Sequence, residues 1–241
     1  MARVTVIIPT LDRKEFLEQA IESVEWQTYD DIECVVVDDG STDGTREYLD
    51  SLDYDYLRTI YRDETGLSSA RNTAIDASDG EYVLFFDSDD ILYPGAVKTL
   101  VEALERQSDD CAGVFGSKKL VTDRGRVSER RAPTGAMTEP TLDNARAIGG
   151  PSSVLFRHSA IDSIGGFDES FVSREDLDLY LSLLERYMLY GIDEFCCERR
   201  IHADQMSRDT ESVMKGYAMI RRKHDIDPER HDRRHSEDDG S

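Results

Sequence analysis

Runs of apolar residues alternate, along the first half of the chain, with segments whose apolar residues recur every three to four positions. Short continuous apolar runs are typical of buried strands, and a period near 3.6 residues is typical of amphipathic helices. The runs predict five strands, at residues 4–8, 32–37, 56–61, 82–86 and 111–115. The periodic segments predict four intervening helices, at residues 13–26, 42–52, 68–77 and 94–107. This alternation predicts an α/β fold with a mainly parallel sheet, right-handed crossovers and flanking helices.

The second half of the chain is less regular. Residues 118–140 are polar and basic, which indicates either a hairpin or a mobile loop. Residues 154–156 and 195–201 are predicted to be strands, and residues 175–187 carry the apolar spacing of a helix. Residues 225–241 are charged and poor in apolar residues, so we expect a disordered tail.

Two of the predicted strands end in acidic residues. Asp38 and Asp39 follow the second strand, and Asp87, Asp89 and Asp90 follow the fourth. Ligands of open parallel sheets bind beyond the carboxyl ends of the strands, so these oxygens lie at the edge where a ligand is expected. Several carboxylates there repel one another unless they are solvated or bridged by a cation, and a divalent metal carrying a diphosphate would suit them. The alternative is a pair of solvated turns, because Asp, Ser and Gly are common turn residues.

The charge of the chain narrows the choice of partners. There are 51 acidic against 29 basic residues, giving a net charge of −22, and only six of the 29 are lysines. No basic face balances this charge, which argues against a nucleic-acid partner. An acidic, lysine-poor surface is typical of proteins from salt-loving microbes, in which salt screens the self-repulsion. An ordinary acidic cytosolic protein is the alternative interpretation.

Cysteine usage and the N-terminal residues indicate a cytoplasmic protein. The four cysteines include no C-x-x-C pair, so a zinc site has little support and a reducing compartment fits. The chain begins with a predicted strand rather than a signal peptide. No apolar stretch approaches the roughly 20 residues that span a bilayer, so any contact with the inner membrane face would be peripheral or through a partner.

Six short segments share their order with a known family. They read VIIPT at 6–10, VVDDGSTD at 36–43, GLSSARN at 66–72, FDSDD at 86–90, GGFDE at 165–169 and ED at 175–176. In this order they resemble the family-2 glycosyltransferases, whose nucleotide-sugar-binding α/β fold is called GT-A. The resemblance covers about residues 3–205. One departure is Leu11-Asp12, where the family often has Tyr-Asn or Phe-Asn.

The resemblance implies a role for individual residues. It places substrate-binding side chains at Pro9, Thr10, Asp39, Arg71, Asp87 and Glu175. The first four of these would hold the nucleotide base, and the fifth would contact the ribose or a metal-bound water. Asp89 would bind Mg²⁺ or Mn²⁺, with His202 as a further metal or phosphate contact. Asp176 would be the general base.

The resemblance also implies a domain organisation and an activity. Residues 1–224 would form a single domain, with residues 1–117 as the nucleotide-binding half and 118–224 as the acceptor-binding half. The expected reaction is an inverting transfer of a sugar from a nucleotide-diphosphate sugar, UDP-linked by preference, to a hydroxyl or to a lipid-linked saccharide. The product would be a glycan or a cell-surface polysaccharide.

Structural explanations stay open for several of these residues. Arg71 fits a surface ion pair, Asp39 a helix N-cap, and Glu175 and Asp176 a carboxylate pair that stabilises a helix dipole. A lone histidine such as His202 is often only a packed residue. For the whole chain, the alternatives are a non-catalytic nucleotide-sugar-binding relative and a nucleotidyltransferase. The latter would usually carry a Gly-rich basic loop after the first strand, and residues 9–12 do not form one.

Overall fold

A mixed sheet with helices on both faces forms the centre of the molecule. The structure is a computed structural model that describes residues 3–202 and 209–226. Its first four strands are β1 (Val4–Thr10), β2 (Ile32–Asp38), β3 (Leu57–Tyr61) and β4 (Tyr82–Phe85). They pair in parallel in the order β3-β2-β1-β4. Helices α1 (Lys14–Glu25), α2 (Thr45–Asp50) and α3 (Leu67–Ala77) connect them, so the predicted α/β alternation is confirmed.

The second half of the chain extends the same sheet in the order β4-β9-β6-β10-β5. Its strands are β5 (Ile91–Leu92), β6 (Cys111–Thr122), β7 (Val127–Arg130), β8 (Gly135–Met137), β9 (Val154–Arg157) and β10 (Met188–Ile201). Its helices are α4 (Ala96–Glu105), α5 (Leu142–Ile148), α6 (His158–Ile164), α7 (Glu175–Leu184) and α8 (Thr210–Lys223). Because β9 runs antiparallel to both β4 and β6, the sheet is mixed although most of its long strands are parallel.

The polar segment at residues 118–140 begins with a hairpin and is not a loop throughout. β6 continues to Thr122 and pairs in antiparallel fashion with β7. The boundary expected between residues 117 and 118 therefore falls inside a single strand. Helix α7 ends at Leu184, three residues before the predicted end. Residues 227–241, which make up nearly all of the predicted disordered tail, lie outside the described residues.

The strands bury side chains on both faces, which explains why their sequences are continuously apolar. Ile7, Val35 and Phe85 point to one face, where α3, α5, α6 and α7 pack. Their neighbours Ile8 and Val36 point to the other face, where α1 and α4 pack. Because alternate residues of a strand point to opposite faces of the sheet, the core consists of two layers, one on each face.

The four cysteines are all buried and free. Among the helices of the described segments, none combines the length and apolar character that a bilayer crossing requires.

Candidate active site

A cavity of about 440 Å³ lies beyond the carboxyl ends of β1, β2 and β4. Parallel pairing places Thr10 of β1 beside Asp38 of β2, so the residues that follow these strands emerge at one edge of the sheet. Most of the predicted site residues line this cavity: Pro9, Thr10, Asp39, Arg71, Asp87, Asp89, Glu175 and Asp176. Two of the eight come from the first turn of α7, so residues that are more than 100 positions apart share one cavity.

Three carboxyl groups crowd the end of β4. Oxygen atoms of Asp87, Asp89 and Asp90 all lie within 4.8 Å of one another. Asp90 points into the protein, where it accepts hydrogen bonds from Ser152 Oγ at 2.6 Å and from the Arg200 amide at 3.2 Å. Burial, with the nearby charges of Asp89 and Asp87, raises the pKa of Asp90 to about 8. A bound cation would relieve this crowding of negative charge.

The two residues predicted to ligate the metal lie next to each other. His202 Nε2 is 2.9 Å from Asp89 Oδ2, and its ring stacks on Phe16 with centroids 4.7 Å apart. These two side chains would offer a carboxylate oxygen and an imidazole nitrogen to Mg²⁺ or Mn²⁺. Arg13, which was not predicted, forms an ion pair with the same Asp89 oxygen. It would compensate the charge of Asp89 when no cation is present.

Arg71 connects the two sides of the cavity. Its guanidinium is 1% exposed and donates to Asp87 at 2.8 Å and to Glu175 at 2.7 Å. Burial alone would lower the pKa of this guanidinium, but the charges of Glu175 and Asp87 raise it above its usual value. Arg71 therefore forms an ion pair that is buried rather than superficial. Its predicted contact with a nucleotide base stays a prediction.

Asp176, the predicted general base, lies in the cavity wall and has a raised pKa. It lines the cavity in the first turn of α7, and one of its oxygens accepts the amide of Leu177 at 2.8 Å. Burial, with the charge of the adjacent Glu175, raises its pKa to about 6. A base is most effective when its pKa lies near the working pH.

Asp39 holds the loop that precedes α3. Its carboxylate accepts the amide of Thr65 at 3.1 Å, the Thr65 hydroxyl at 2.9 Å and the amide of Gly66 at 2.8 Å. The Asp39 side chain thus fixes the start of α3 and not the start of α2, the helix that follows Asp39 in sequence. Asp39 also lines the cavity, and its predicted contact with a nucleotide base stays a prediction.

Residues 70–72 and 165–169, which belong to two of the segments that carry the resemblance, are joined by hydrogen bonds. Asn72 donates from its amide nitrogen to Phe167 O and accepts from the Phe167 amide, both at 2.9 Å. A Cβ on Gly166 would lie 2.7 Å from the Asn72 oxygen, so only glycine fits beside this side chain. Phe167 packs edge-on against Phe85 of β4. The two segments together fix the chain that leads toward α7.

Two adjacent arginines of β10 lie in different surroundings. Arg199 lines the cavity. Arg200 turns away from it, donates to Asp89 O and to Gln19 Oε1, and stacks on Phe16. Arg200 therefore ties the acidic turn to α1. This difference could have been predicted, because Arg199 and Arg200 are neighbours on a strand and neighbouring strand residues face opposite sides of the sheet.

The departure at Leu11-Asp12 has a structural consequence. Asp12 adopts a left-handed conformation with φ of 49°. Its carboxylate accepts the Thr42 amide at 2.6 Å, and its own amide donates to Ser41 Oγ at 2.9 Å. These bonds join the loops that follow β1 and β2 at the rim of the cavity. Leu11 contributes to the cavity wall.

Comparison with known proteins agrees with the fold. The profile of the family described as Glycosyl transferase family 2 matches residues 5–165. This chain belongs to glycosyl transferase family 2. The chain is 30% identical over 210 residues to TuaG of Bacillus subtilis, which is named for teichuronic acid biosynthesis; the match covers 85% of this chain and 81% of TuaG.

Two further relatives are matched over different shares of their own length. The GalNAc(5)-diNAcBac-PP-undecaprenol beta-1,3-glucosyltransferase of Campylobacter jejuni is 28% identical over 229 residues, covering 90% of this chain and 72% of that protein. An uncharacterized glycosyltransferase of Rickettsia felis is 28% identical over 211 residues, or 85% of this chain. This match covers 35% of the Rickettsia protein, so the present chain spans about a third of that relative's length.

Solved glycosyltransferases share the fold. S. aureus TarS in complex with UDP-GlcNAc superposes with a TM-score of 0.69 at 24% identity, covering 90% of this chain and 65% of that one. The mannosyltransferase PcManGT of Pyrobaculum calidifontis, in complex with GDP-Man and Mn²⁺, gives 0.70 at 20% identity, covering 93% of this chain and 64% of that one. The predicted GT-A architecture is thereby confirmed.

Proposed function

We propose that this glycosyltransferase moves a sugar from a nucleotide-diphosphate sugar, UDP-linked by preference, to a hydroxyl of a saccharide or a lipid-linked saccharide. One observation carries the proposal. A single cavity is lined by the metal-suited carboxylates Asp87 and Asp89 and by Asp176, a carboxyl whose raised pKa suits proton transfer.

The donor side of the site follows from the strand ends. Pro9, Thr10 and Asp39 form the part of the wall at the carboxyl ends of β1 and β2, where a nucleotide base would lie. Asp89 and His202 would hold Mg²⁺ or Mn²⁺. When bound, the ion would stabilise the negative charge that develops on the leaving diphosphate. The complexes of TarS with UDP-GlcNAc and of PcManGT with GDP-Man and Mn²⁺ support this assignment by analogy.

The acceptor side is assigned to α7. The attacking hydroxyl must lose a proton as it bonds to the anomeric carbon, and Asp176 would take that proton. Glu175 cannot serve as easily, because its carboxylate already accepts from Arg71 at 2.7 Å. Attack from the face opposite the diphosphate in a single displacement would invert the anomeric centre. The product would therefore have the opposite anomeric configuration to the donor.

The relatives support a saccharide acceptor on a lipid carrier. The Campylobacter enzyme is named for an acceptor linked through PP to undecaprenol, and TuaG for teichuronic acid biosynthesis. We accordingly place the reaction in the cytoplasm, where nucleotide sugars are made, with peripheral contact at the inner membrane face. Four free thiols are consistent with a reducing compartment.

A donor screen tests the proposal without knowledge of the acceptor. Melting temperatures would be measured in high salt for a panel of nucleotide sugars with and without Mn²⁺. We expect one UDP-sugar to give the largest Mn²⁺-dependent rise, and slow hydrolysis of that donor to release UDP. Stabilisation without any hydrolysis or transfer would indicate the non-catalytic alternative, and the absence of any stabilisation would contradict the proposal.

A further inference from the structure

Helix α8 packs against the turn that leads into α7, the helix that carries the proposed base. Gly216 of α8 lies so close to this turn that a Cβ on it would be 2.5 Å from Ser173 O and 3.0 Å from Arg174 Cγ. The ring of Tyr217, the next residue of α8, contacts the Arg174 guanidinium, whose Cζ is 5.3 Å from the ring centroid. Since Ser173 and Arg174 both line the cavity, α8 contacts part of the cavity wall.

The backbone of this turn needs support from its surroundings. Arg174 adopts a left-handed conformation, with φ of 66° and ψ of 21°. Residues with a Cβ are disfavoured in this region, because the Cβ approaches the following carbonyl oxygen. Such a conformation persists only where neighbouring parts of the structure hold it. Arg174 immediately precedes Glu175 and Asp176, so its backbone sets the direction in which the first turn of α7 presents their carboxylates.

The last residue of α8 and the residue that follows it are joined to α7 by ion pairs. Lys223 Nζ lies 2.9 Å from an oxygen of Asp178 and 2.9 Å from an oxygen of Asp168. His224 Nε2 lies 2.9 Å from the other Asp178 oxygen, and its Nδ1 is 3.0 Å from Glu185 Oε1. Both ring nitrogens of His224 can donate to these oxygens only when the ring is protonated. Because Asp178 is buried, these ion pairs fix the end of α8 on α7.

The middle of α8 is also held in place. Ile220 is fully buried in the same core layer as Leu177 and Leu181 of α7. The ring of Tyr217 has a second neighbour in α5, since Arg146 Cζ lies 4.8 Å from the ring centroid. The helix is therefore fixed near both ends and in the middle, and the contact of Tyr217 with the turn is part of a packed interface.

We propose that Tyr217 is a positioning residue, which holds Arg174 in its left-handed conformation and thereby directs Asp176 into the cavity. The inference rests on the proposed function, in which Asp176 is the base. The face of the Tyr217 ring attracts the Arg174 guanidinium, and Gly216 leaves room for α8 to approach Ser173 O. Without the ring, the turn would relax to a more favourable φ, move Asp176 away from the acceptor hydroxyl and admit water to it.

The turnover of Tyr217→Ala tests this role. The full chain would be given Mn²⁺ and the UDP-sugar that the donor screen selects, and the release of UDP would be measured. In this hydrolysis water attacks the anomeric carbon as the bond to the diphosphate breaks, and Asp176 would take the proton of the water. We expect kcat to fall about 10- to 100-fold, which is the cost of a misplaced catalytic group. The affinity for UDP, measured by calorimetry, should change little.

The pH profile separates a positioning role from a general loss of stability. Burial raises the pKa of Asp176 to about 6. Admission of water should lower this pKa, so the midpoint of the kcat profile should move to lower pH in Tyr217→Ala. A variant that only melts earlier would keep the midpoint of the parent. Hydrogen exchange of the amides at residues 173–178 should also be faster in Tyr217→Ala, a measurement that needs no substrate.

Three matched variants complete the experiment. Tyr217→Phe keeps the ring and should restore kcat to near that of the parent. Gly216→Ala should lower both kcat and the melting temperature, because its Cβ would lie 2.5 Å from Ser173 O, although alanine is the better helix former. Met214→Ala is the control, since it truncates a side chain of α8 that is 65% exposed, and it should match the parent. Melting temperatures would verify that each variant is folded in the assay.

The inference and the proposed function fail in different measurements. A parent-like kcat in Tyr217→Ala, or a Gly216→Ala variant that melts higher and turns over normally, would overturn the positioning role alone. Equal losses of kcat and of UDP affinity in Tyr217→Ala would show that α8 supports the fold in general, and would overturn it as well. A parent protein that neither binds UDP nor releases it from any UDP-sugar would overturn the proposed function and, with it, this inference.

Discussion

Replacing Arg71 with methionine should show how strongly the buried ion pairs hold the cavity together. The variant keeps an unbranched side chain of similar length but removes the cation between Glu175 and Asp87. The Glu175 side chain is 10% exposed and the Asp87 side chain 29%. Glu175 would thus be left buried and unpaired, whereas Asp87 could be partly solvated.

The expected loss of stability follows from this difference in burial. Removing one partner of a buried ion pair typically costs about 3–5 kcal/mol. Because Asp87 can regain solvent, we expect the lower end of this range, about 3 kcal/mol. For a chain of this size, each kcal/mol corresponds to about 2–4 °C of melting temperature, so the variant should melt roughly 6–12 °C lower.

Urea unfolding and thermal melting, followed by circular dichroism, would measure this loss. Arg131→Met, which removes an exposed ion pair, is the control and should change little. A double variant with Glu175→Gln should lose less than the sum of the single losses by about 1 kcal/mol or more, as expected for residues in contact. Stability within about 1 kcal/mol of the parent for Arg71→Met, or strict additivity, would refute the reasoning.

Three further predictions concern the metal, the pH profile and salt. Asp89→Ala should abolish the part of the UDP affinity that depends on Mn²⁺, measured by calorimetry with and without the ion; equal affinities in the parent protein would exclude the metal assignment. The kcat/KM for transfer should rise with pH through about 6 and then level off, because burial raises the pKa of Asp176 to about 6 and the base acts deprotonated; a flat profile between pH 5 and 8 would argue against this base. The melting temperature should rise from low to multimolar KCl, since salt screens a net charge of −22; an unchanged value would remove the halophilic interpretation.

Much of the fold was predictable because continuous apolar strands alternate with amphipathic helices. The side of the cavity proposed for the donor was predictable for the same reason, since Asp39, Asp87 and Asp89 each follow a recognisable strand. Parallel strands bring their carboxyl ends to one edge of the sheet. The positions of these residues after their strands were therefore sufficient to predict that they lie together.

Contacts between distant segments were not predictable from the pattern. Arg71 and Glu175 are 104 positions apart, and their ion pair depends on how α7 packs beneath the sheet edge. Arg13 and Asp89 lie on separate crossovers, and the sequence carries no signal that pairs them. Helix α8 was also not predicted.

Asp39 illustrates a different limit of sequence reasoning. Its type and position indicated a ligand contact, but its carboxylate also holds the backbone before α3. A carboxylate that follows a strand can serve the fold, the ligand or both, and the sequence pattern is the same in each case.

The turnover of Asp176→Asn tests the central claim most directly. The substitution keeps the shape of the side chain and removes the charge that would accept the hydroxyl proton. Transfer from the donor identified in the screen should fall about 10²–10⁴-fold, while the affinity for that donor changes little, because the base faces the acceptor. Asp162→Asn, an exposed acid outside the cavity, is the matched control. Transfer by Asp176→Asn within a few-fold of the parent would contradict the assignment of the base and of the reaction in this cavity.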